Sequence, residues 1–257
     1  MAINFTDSPI KQAFCEIIFT PFSPWDISIP GLIFEQVKVE YPLKTPIPAW
    51  GISVQSAIQN APPNNQLSHQ TMSPERIILH DEGQRNALVL GPRYLQITRN
   101  APYSNWEELR NRIEKASEAY CKAGNPQGID NIALRYLNHI PMPVKDEEEQ
   151  FLNRWFKYFV QGPELPDNPP IGNYLLAVQI PYEENKDILA VQLMSTNIPA
   201  PEGASLFLLD LMYHSNVPNR VDTSNLSAWL KTAHERIEAA FLGSLTDEMV
   251  ERLEGKH

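Results

Sequence analysis

The sequence predicts an α+β protein of two fused βαβββα-like halves, in which a curved antiparallel sheet is covered by two long helices. Two observations lead to this prediction. Stretches of alternating apolar and polar residues, typical of strands, are separated by proline-rich segments. The order strand, helix, three strands, long helix is found over residues 1–130 and again over residues 131–257. With 257 residues in all, we expect the two halves to form one compact unit.

The first half begins with a strand predicted over residues 13–20, where β-branched and aromatic residues are frequent. A helix is predicted over residues 34–39. Residues 51–73, which follow this helix, are only weakly patterned. Strands are predicted at Arg76–His80 and along residues 87–97, and in the second of these the alternation is expected to run without a break.

A long amphipathic helix is predicted from Trp106. Ser104 and Glu107 have the spacing of a capping box, and Gly124 stands just beyond the predicted end. Apolar residues at helical spacing form one stripe that is expected to face the sheet: Trp106, Leu109, Ile113, Ala116 and Tyr120.

The second half contains four predicted strands, over residues 131–140, 174–181, 188–194 and 206–214. Its helices are a short aromatic one around Trp155, a long one that is broken at Gly243, and a short one capped by Thr246. The long helix has Trp229 and Phe241 on its apolar stripe. His234 lies beside that stripe, where we expect it to hydrogen-bond the sheet or the following turn.

Proline punctuates this chain, with 23 prolines against 11 glycines. Clusters at residues 42–48 and 141–143 predict loops, because proline fixes φ and cannot donate a hydrogen bond to a sheet. The acidic segment 145–149 beside the second cluster is the predicted seam between the halves.

The net charge is −10, from 21 basic and 31 acidic side chains. Such a chain does not favour a nucleic-acid backbone or an anionic membrane, so neither is expected as a partner. One local alternative is a basic aromatic patch for single-stranded nucleic acid, made of Tyr94, Tyr103, Arg85, Arg93 and Arg99. The opening residues lack a secretory signal and no run is long and apolar enough to span a bilayer, so a cytoplasmic location is expected.

Motifs of nucleotide-binding enzymes, serine hydrolases and zinc proteases do not occur in the sequence. None of the six histidines has a second ligand at a spacing typical of a metal site. Cys15 and Cys121 are too few for a disulfide framework, and we expect both to be buried thiols. Neither a metal nor a cofactor is expected, and a binding protein is favoured over an enzyme.

Polar residues interrupt three predicted strands. In residues 206–214 the odd positions form a wholly apolar face, so Asp210 and His214 must point to the other side. The same alternation separates Arg135 and His139 from the apolar side of residues 132–140, and Glu16 has the comparable position in the first strand. We expect these five side chains to line one polar surface of the sheet.

Three interpretations of this surface remain open. Arg135 can bind the carboxylate or phosphate of a small anionic ligand through its bidentate guanidinium, with Asp210 holding Arg135 in orientation. Alternatively, Arg135 and Asp210 form a structural tie between strands, which is the commoner role of such a pair on a half-exposed sheet. A third use is acid or base catalysis by His139 or His214 beside a carboxylate.

Three short segments resemble those of a sporadically distributed, uncharacterised bacterial family whose members begin with a Pro-Ile/Val-x-x-Ala strand. The family usually has an acidic residue where this chain has Gln12. The segments are Pro9-Ile10-Lys11-Gln12-Ala13 within residues 8–19, Leu134-Arg135-Tyr136-Leu137-Asn138-His139-Ile140, and His234-Glu235-Arg236-Ile237 followed by Phe241 and Leu245-Thr246-Asp247-Glu248.

The resemblance implies one unit that includes both halves, and its sporadic distribution implies a mobile or defence-type gene cluster, but it supplies no activity. We therefore expect a cytoplasmic binding or accessory protein that acts through a protein partner. The alternative is a small-ligand sensor or enzyme that uses the polar surface around Arg135 and Asp210. A broad exposed patch would fit the first function, and a concave site enclosing Arg135 would fit the second.

Overall fold

The computed structural model describes residues 8–20, 25–47, 76–143, 152–159 and 173–255. These residues form five helices and nine strands, and the strands make a single open antiparallel sheet. The strands are β1 (Ile10–Phe19), β2 (Leu43–Ile47), β3 (Arg76–His80), β4 (Asn86–Gly91), β5 (Tyr94–Asn100), β6 (Ile129–Pro143), β7 (Leu175–Tyr182), β8 (Asp187–Ser195) and β9 (Ala204–Ser215). The helices are α1 (Ile29–Val37), α2 (Trp106–Gly124), α3 (Leu152–Trp155), α4 (Leu226–Ser244) and α5 (Asp247–Leu253).

The strand order is β2-β3-β4-β5-β1-β6-β9-β8-β7, with β1 and β6 paired in the middle. On one side of this central pair, β5, β4, β3 and β2 follow outward; on the other side, β9, β8 and β7 do. All pairings are antiparallel. The α+β class predicted from the sequence is therefore confirmed.

One face of the sheet, which we call the helical face, packs against α2 and α4. Every second residue of β1 from Ala13 to Phe19 is buried on this face, as the alternation predicts. Tyr120 of α2 stacks on Phe19 with ring centroids 4.3 Å apart, and Trp229 of α4 contacts Tyr213 of β9 at 5.5 Å. The two helices also contact each other, so the main core lies between them and the sheet.

Helix α2 is capped one residue later than predicted. Asn105, not Ser104, is the N-cap, and its side-chain oxygen accepts a hydrogen bond from the Glu108 backbone N–H at 2.8 Å. Ser104 instead donates its hydroxyl to the Glu108 carboxylate. Gly124 is the last helical residue, and Asn125 adopts the left-handed conformation that ends the helix.

Of the two final helices, α5 begins as the sequence predicts and α4 ends differently. Thr246 caps α5 and accepts a hydrogen bond from the Met249 backbone N–H at 3.3 Å, as predicted. Helix α4 is not broken at Gly243 but continues to Ser244, whose hydroxyl donates to the Ala240 carbonyl at 2.7 Å.

Helix α1 begins five residues before the predicted start, with Pro30 in its first turn.

The predicted strand 87–97 is a hairpin of two strands. β4 ends at Gly91 and β5 begins at Tyr94, and Arg93 between them has a φ of 61°. Because the turn resets the alternation, Ile97 joins Leu88 and Leu90 on the buried face, while Tyr94 points to the other side.

Both proline clusters that predict loops contribute to strands. Pro46 lies in β2, which is the edge of the sheet, where one side of a strand needs no partner. β6 runs to Pro143 and there pairs with β9 alone, because the pairing of β1 ends at Ile10 opposite Asn138. The missing N–H of a proline can therefore face an unpaired side. The predicted seam at 145–149 and the weakly patterned segment 51–73 lie outside the described residues.

Candidate functional site

The five polar residues predicted to share a surface do lie on one face of the sheet, opposite the helical face. In the register of β6 and β9, Arg135 and His139 alternate with buried Leu134, Tyr136 and Ile140. The other three are Glu16, Asp210 and His214, whose neighbours along their strands are also buried on the helical face. We call this the open face.

Arg135 and Asp210 form a two-point ion pair at the centre of the open face. Nε of Arg135 donates to Oδ1 of Asp210 at 2.8 Å, and a terminal guanidinium nitrogen donates to Oδ2. Asp210 is only 4% exposed, whereas 30% of the Arg135 side chain is exposed. The hydrogen bond to Asp210 raises the pKa of Arg135, so the guanidinium stays charged.

Glu16 extends this cluster toward β5. The Tyr94 hydroxyl lies 2.7 Å from Oε2 of Glu16 and equally close to Oε1 of Gln96. Burial raises the pKa of Tyr94, and the neighbouring Glu16 carboxylate raises it further, so the phenol keeps its proton and acts as a donor. The guanidinium of Arg76 covers the ring of Tyr94 at 4.0 Å.

The two histidines are not part of this central cluster. His214 pairs with Ala133 at one end of the β6–β9 ladder, and His139 pairs with Leu208 six residues further along β6, so the two histidines are roughly 20 Å apart along the strands. His139 lines a cavity of about 470 Å³ at one end of the sheet together with Lys11. Burial, and then Lys11, lower the pKa of His139. Nδ1 of His214 lies 3.0 Å from the Ser215 carbonyl. Acid–base catalysis would be favoured by a carboxylate directly opposite a histidine on a paired strand. Neither histidine has a carboxylate in that position.

A second candidate site lies on the helical face and was not predicted from the sequence. It is a cleft of about 450 Å³ between the start of α2 and the middle of α4, which we call the α2–α4 cleft. Tyr136, Asn138 and Leu211 of the sheet form its floor. Its walls include Trp106 of α2 and His234 of α4.

A chain of hydrogen bonds runs along the α2–α4 cleft. The hydroxyls of Tyr103 and Tyr136 are 3.2 Å apart, and the Tyr136 hydroxyl is 3.3 Å from Nδ1 of His234. The His234 ring stacks on Trp106 with centroids 4.3 Å apart. Burial lowers the pKa of His234 to about 4 and raises that of Tyr103 to about 12, so all three groups are neutral near pH 7.

The expected contact of His234 with the sheet is therefore confirmed, since its partner Tyr136 is a residue of β6. The cleft itself joins residues far apart in the chain. Segment 8–19 contributes Pro9, segment 134–140 contributes Tyr136 and Asn138, and segment 234–248 contributes His234 and Phe241. The three segments quoted for the family resemblance thus meet at one place. No local period in the sequence relates these positions, so sequence reasoning did not find the cleft.

The basic aromatic patch considered for single-stranded nucleic acid is not assembled. Tyr94 lies on the open face, whereas Tyr103 contacts Tyr136 on the helical face. The guanidinium of Arg93 donates to the Phe19 carbonyl and to Asp130, and that of Arg99 donates to Asn86. The structure does not favour this alternative, which grouped residues by their distance along the chain.

Within the described ranges, no three or more His, Cys, Asp or Glu side chains come together as they would around a metal ion. Cys15 is buried as expected, and burial raises its pKa. Cys121 is only partly buried, and burial raises its pKa to about 11. Both are therefore thiols rather than thiolates near neutral pH. No helix in the described part of the chain is long and apolar enough to cross a membrane.

Comparison of the chain with protein-family models, with curated proteins and with solved structures finds no match.

Proposed function

We propose that this chain is a binding protein that engages a protein partner through the open face of its sheet. The observation that carries the proposal is the composition of that face. Arginine, carboxylate and histidine side chains alternate there with large apolar ones that are only partly buried: Phe14, Tyr94, Leu137, Leu208 and Met212. Aromatic residues, Met and Arg are the types enriched in protein interfaces.

The charges of the open face favour a protein over a small anion. Asp210 engages one edge of the Arg135 guanidinium, through Nε and one terminal nitrogen, and neutralises its charge, so the pair attracts a further carboxylate or phosphate only weakly. Neither residue lines the cavities described above. A ligand site around Arg135 would need a concavity to bury the ligand. The small-ligand sensor or enzyme centred on this pair is therefore the weaker candidate.

A finer proposal concerns the origin of the fold, as two fused βαβββα-like halves. From the centre outward, β1-β5-β4-β3 has the same order as β6-β9-β8-β7, and β2 adds one more strand at the edge of the first half. α2 follows and contacts β5, and α4 follows and contacts β9. Superposing the first half on the second in an experimental structure tests the proposal. Helices packed on strands that are not equivalent would contradict it.

We also propose that the protein is cytoplasmic and that its gene lies beside those of a mobile or defence system. The partner would be encoded by one of these neighbouring genes. Fractionation of the host cell and inspection of the neighbouring genes test these two parts independently. Recovery of the chain from an extracytoplasmic fraction would contradict the first, and neighbours that are all housekeeping genes would contradict the second.

Charge insertion on the open face tests the partner proposal. Met212 is partly buried opposite Arg135, so Met212→Lys places a cation at the centre of the face. Glu118→Lys is the control, because Glu118 is an exposed residue of α2 on the other side of the molecule. After affinity purification from the host, a protein that accompanies the wild type and Glu118→Lys should be absent from Met212→Lys. Equal recovery with all three, at unchanged melting temperatures, would contradict the proposal.

A further inference from the structure

The α2–α4 cleft contains a hydrogen-bond acceptor that the fold leaves unused. Asn138 is 1% exposed and donates its amide hydrogens to the backbone carbonyls of Tyr136 and Leu209, at 3.4 and 3.0 Å. Since these carbonyls hold the nitrogen against the sheet, the side-chain oxygen is turned away from them. In the described part of the chain no group donates to this oxygen, and Asn138 lines the cleft. Because Asn138 lines the cleft, a donor on a bound molecule can reach this oxygen.

A carboxylate stands at the rim of the same cleft. Glu238 on α4 is exposed, and within the described ranges it has no ion-pair partner. Its negative charge acts on Tyr136 in the floor of the cleft, whose pKa is raised mainly by burial and also by Glu238. Glu107 on the opposite rim is acidic as well, although it is paired with Arg110 at 2.6 Å.

Cations are absent from the described lining of the cleft, which has neither Lys nor Arg. Arg99, whose charge acts on Tyr103, lies 3.6 Å from the Glu108 carboxylate and also donates to Asn86. His234 is neutral and hydrogen-bonded to Tyr136. The lining thus offers acceptors and negative charge, which favour a cation over an anion.

The remaining lining is largely aromatic. Trp106, Tyr103, Tyr136 and Phe241 surround the cleft. Aromatic faces attract organic cations and provide flat apolar contact for a ring. A cleft of about 450 Å³ is within the size range of small-molecule sites.

We propose that the α2–α4 cleft binds a small organic ammonium, with its charge between Glu238 and the Asn138 oxygen and its flat apolar body against the aromatic walls. This site is on the opposite side of the sheet from the proposed partner surface. It gives the protein a second function, that of responding to an amine, and it does not depend on the partner.

Direct binding to the purified full chain tests this proposal. The probes are phenethylammonium and tryptammonium, with 3-phenylpropionate and indole-3-propionate as anions of matched shape and 2-phenylethanol as a neutral analogue. Isothermal titration should show saturable one-site binding of an ammonium probe, and roughly tenfold weaker binding of its carboxylate and alcohol counterparts.

Two variants of α4 locate the site. Glu238→Gln should reduce ammonium affinity by about tenfold, because it removes the rim charge and leaves the shape unchanged. Glu235→Gln is the control on the same helix, since Glu235 is exposed, lies 3.9 Å from Lys231 and does not line the cleft. Both substitutions are at exposed positions and should leave folding unaffected. The proposal would be overturned if neither ammonium showed saturable binding. It would also be overturned if the anions or the alcohol bound equally well, or if Glu238→Gln left the ammonium affinity unchanged.

Discussion

Arg135 on β6 and Asp210 on β9 form a two-point ion pair although neither residue lies directly opposite the other. Arg135 pairs in register with Met212, and Asp210 with Leu137, so the salt bridge runs diagonally across the two strands. Because a shift of one residue would send one partner to the helical face, the pair supports this register and no neighbouring one. It is thus a structural tie at the centre of the surface that we propose for partner binding.

The first prediction concerns this tie. Arg135→Met should lower the free energy of unfolding by about 2 to 4 kcal/mol, because it leaves the Asp210 carboxylate buried without its partner. Urea titration at pH 7 measures the change. Lys122→Met is the matched control, since Lys122 and Glu118 form an exposed pair, and it should change stability by less than about 0.5 kcal/mol.

A double variant separates the cost of the unpaired charge from the value of the pair. Replacing both partners, as Arg135→Met with Asp210→Leu, should recover most of the stability lost in the single variant. If the double variant were as unstable as the sum of the two single ones, the two side chains would not be coupled as described.

The second prediction concerns the core under α4. Trp229 is 7% exposed, packs on Tyr213 and donates its indole N–H to the buried Asp187 at 3.0 Å. Trp229→Ala should therefore lose about 3 to 5 kcal/mol. Lys231→Ala, at an exposed position of the same helix, should stay within about 0.5 kcal/mol. Similar denaturation midpoints for the two variants would show that the wrong face of α4 has been assigned to the core.

The third prediction uses the pH dependence of stability. His234 has a folded-state pKa of about 4 because it is buried, below its ordinary value of 6.5. As pH falls through 6.5, the unfolded chain binds a proton that the folded chain refuses, so stability present above this pH is lost until about pH 4. The loss attributable to His234 should be on the order of 2 kcal/mol.

His234→Gln provides the comparison, because Gln does not titrate. Urea unfolding of both proteins at a series of pH values between 7 and 4 should show a steeper decline for the wild type than for the variant. Parallel declines would mean that His234 takes up its proton as easily in the folded protein as in the unfolded chain.

The fourth prediction identifies the cap of α2. Asn105→Ala should cost about 1 kcal/mol, since it removes the acceptor for the Glu108 backbone N–H. Ser104→Ala removes only a side-chain contact with an exposed carboxylate and should cost less. Thermal unfolding of the two variants measures the difference, and a larger loss for Ser104→Ala would support the capping box read from the sequence.

The sequence was sufficient to predict which side chains lie on the open face, because side chains along a strand alternate with a strict period of two. In β6 and β9 that period alone places Arg135, Asp210 and their alternating neighbours on the correct side. The alternation alone does not show the turn at Arg93, which is signalled instead by the turn-forming dipeptide Gly91-Pro92 just before it. Pro46 and Pro141 were assigned to loops because edge positions depend on strand order, which the sequence does not reveal.

The α2–α4 cleft was beyond prediction for a different reason. Tyr103, Tyr136 and His234 come from a loop, a strand and a helix that are separated by about thirty to a hundred residues. No local period relates such positions, and only packing of α2 and α4 on the sheet brings them together. His234 could be recognised as a residue at the edge of the core, but not as a member of a site.

Site-specific photo-cross-linking is the most direct test of the proposed partner surface. A benzophenone amino acid at position 212, opposite Arg135 on the open face, should cross-link to one discrete protein when the host cell is irradiated. The same group at position 118, on the exposed surface of α2, should not. A cross-link to the same protein from position 118, or no protein captured from position 212 by a chain that folds normally, would contradict the account.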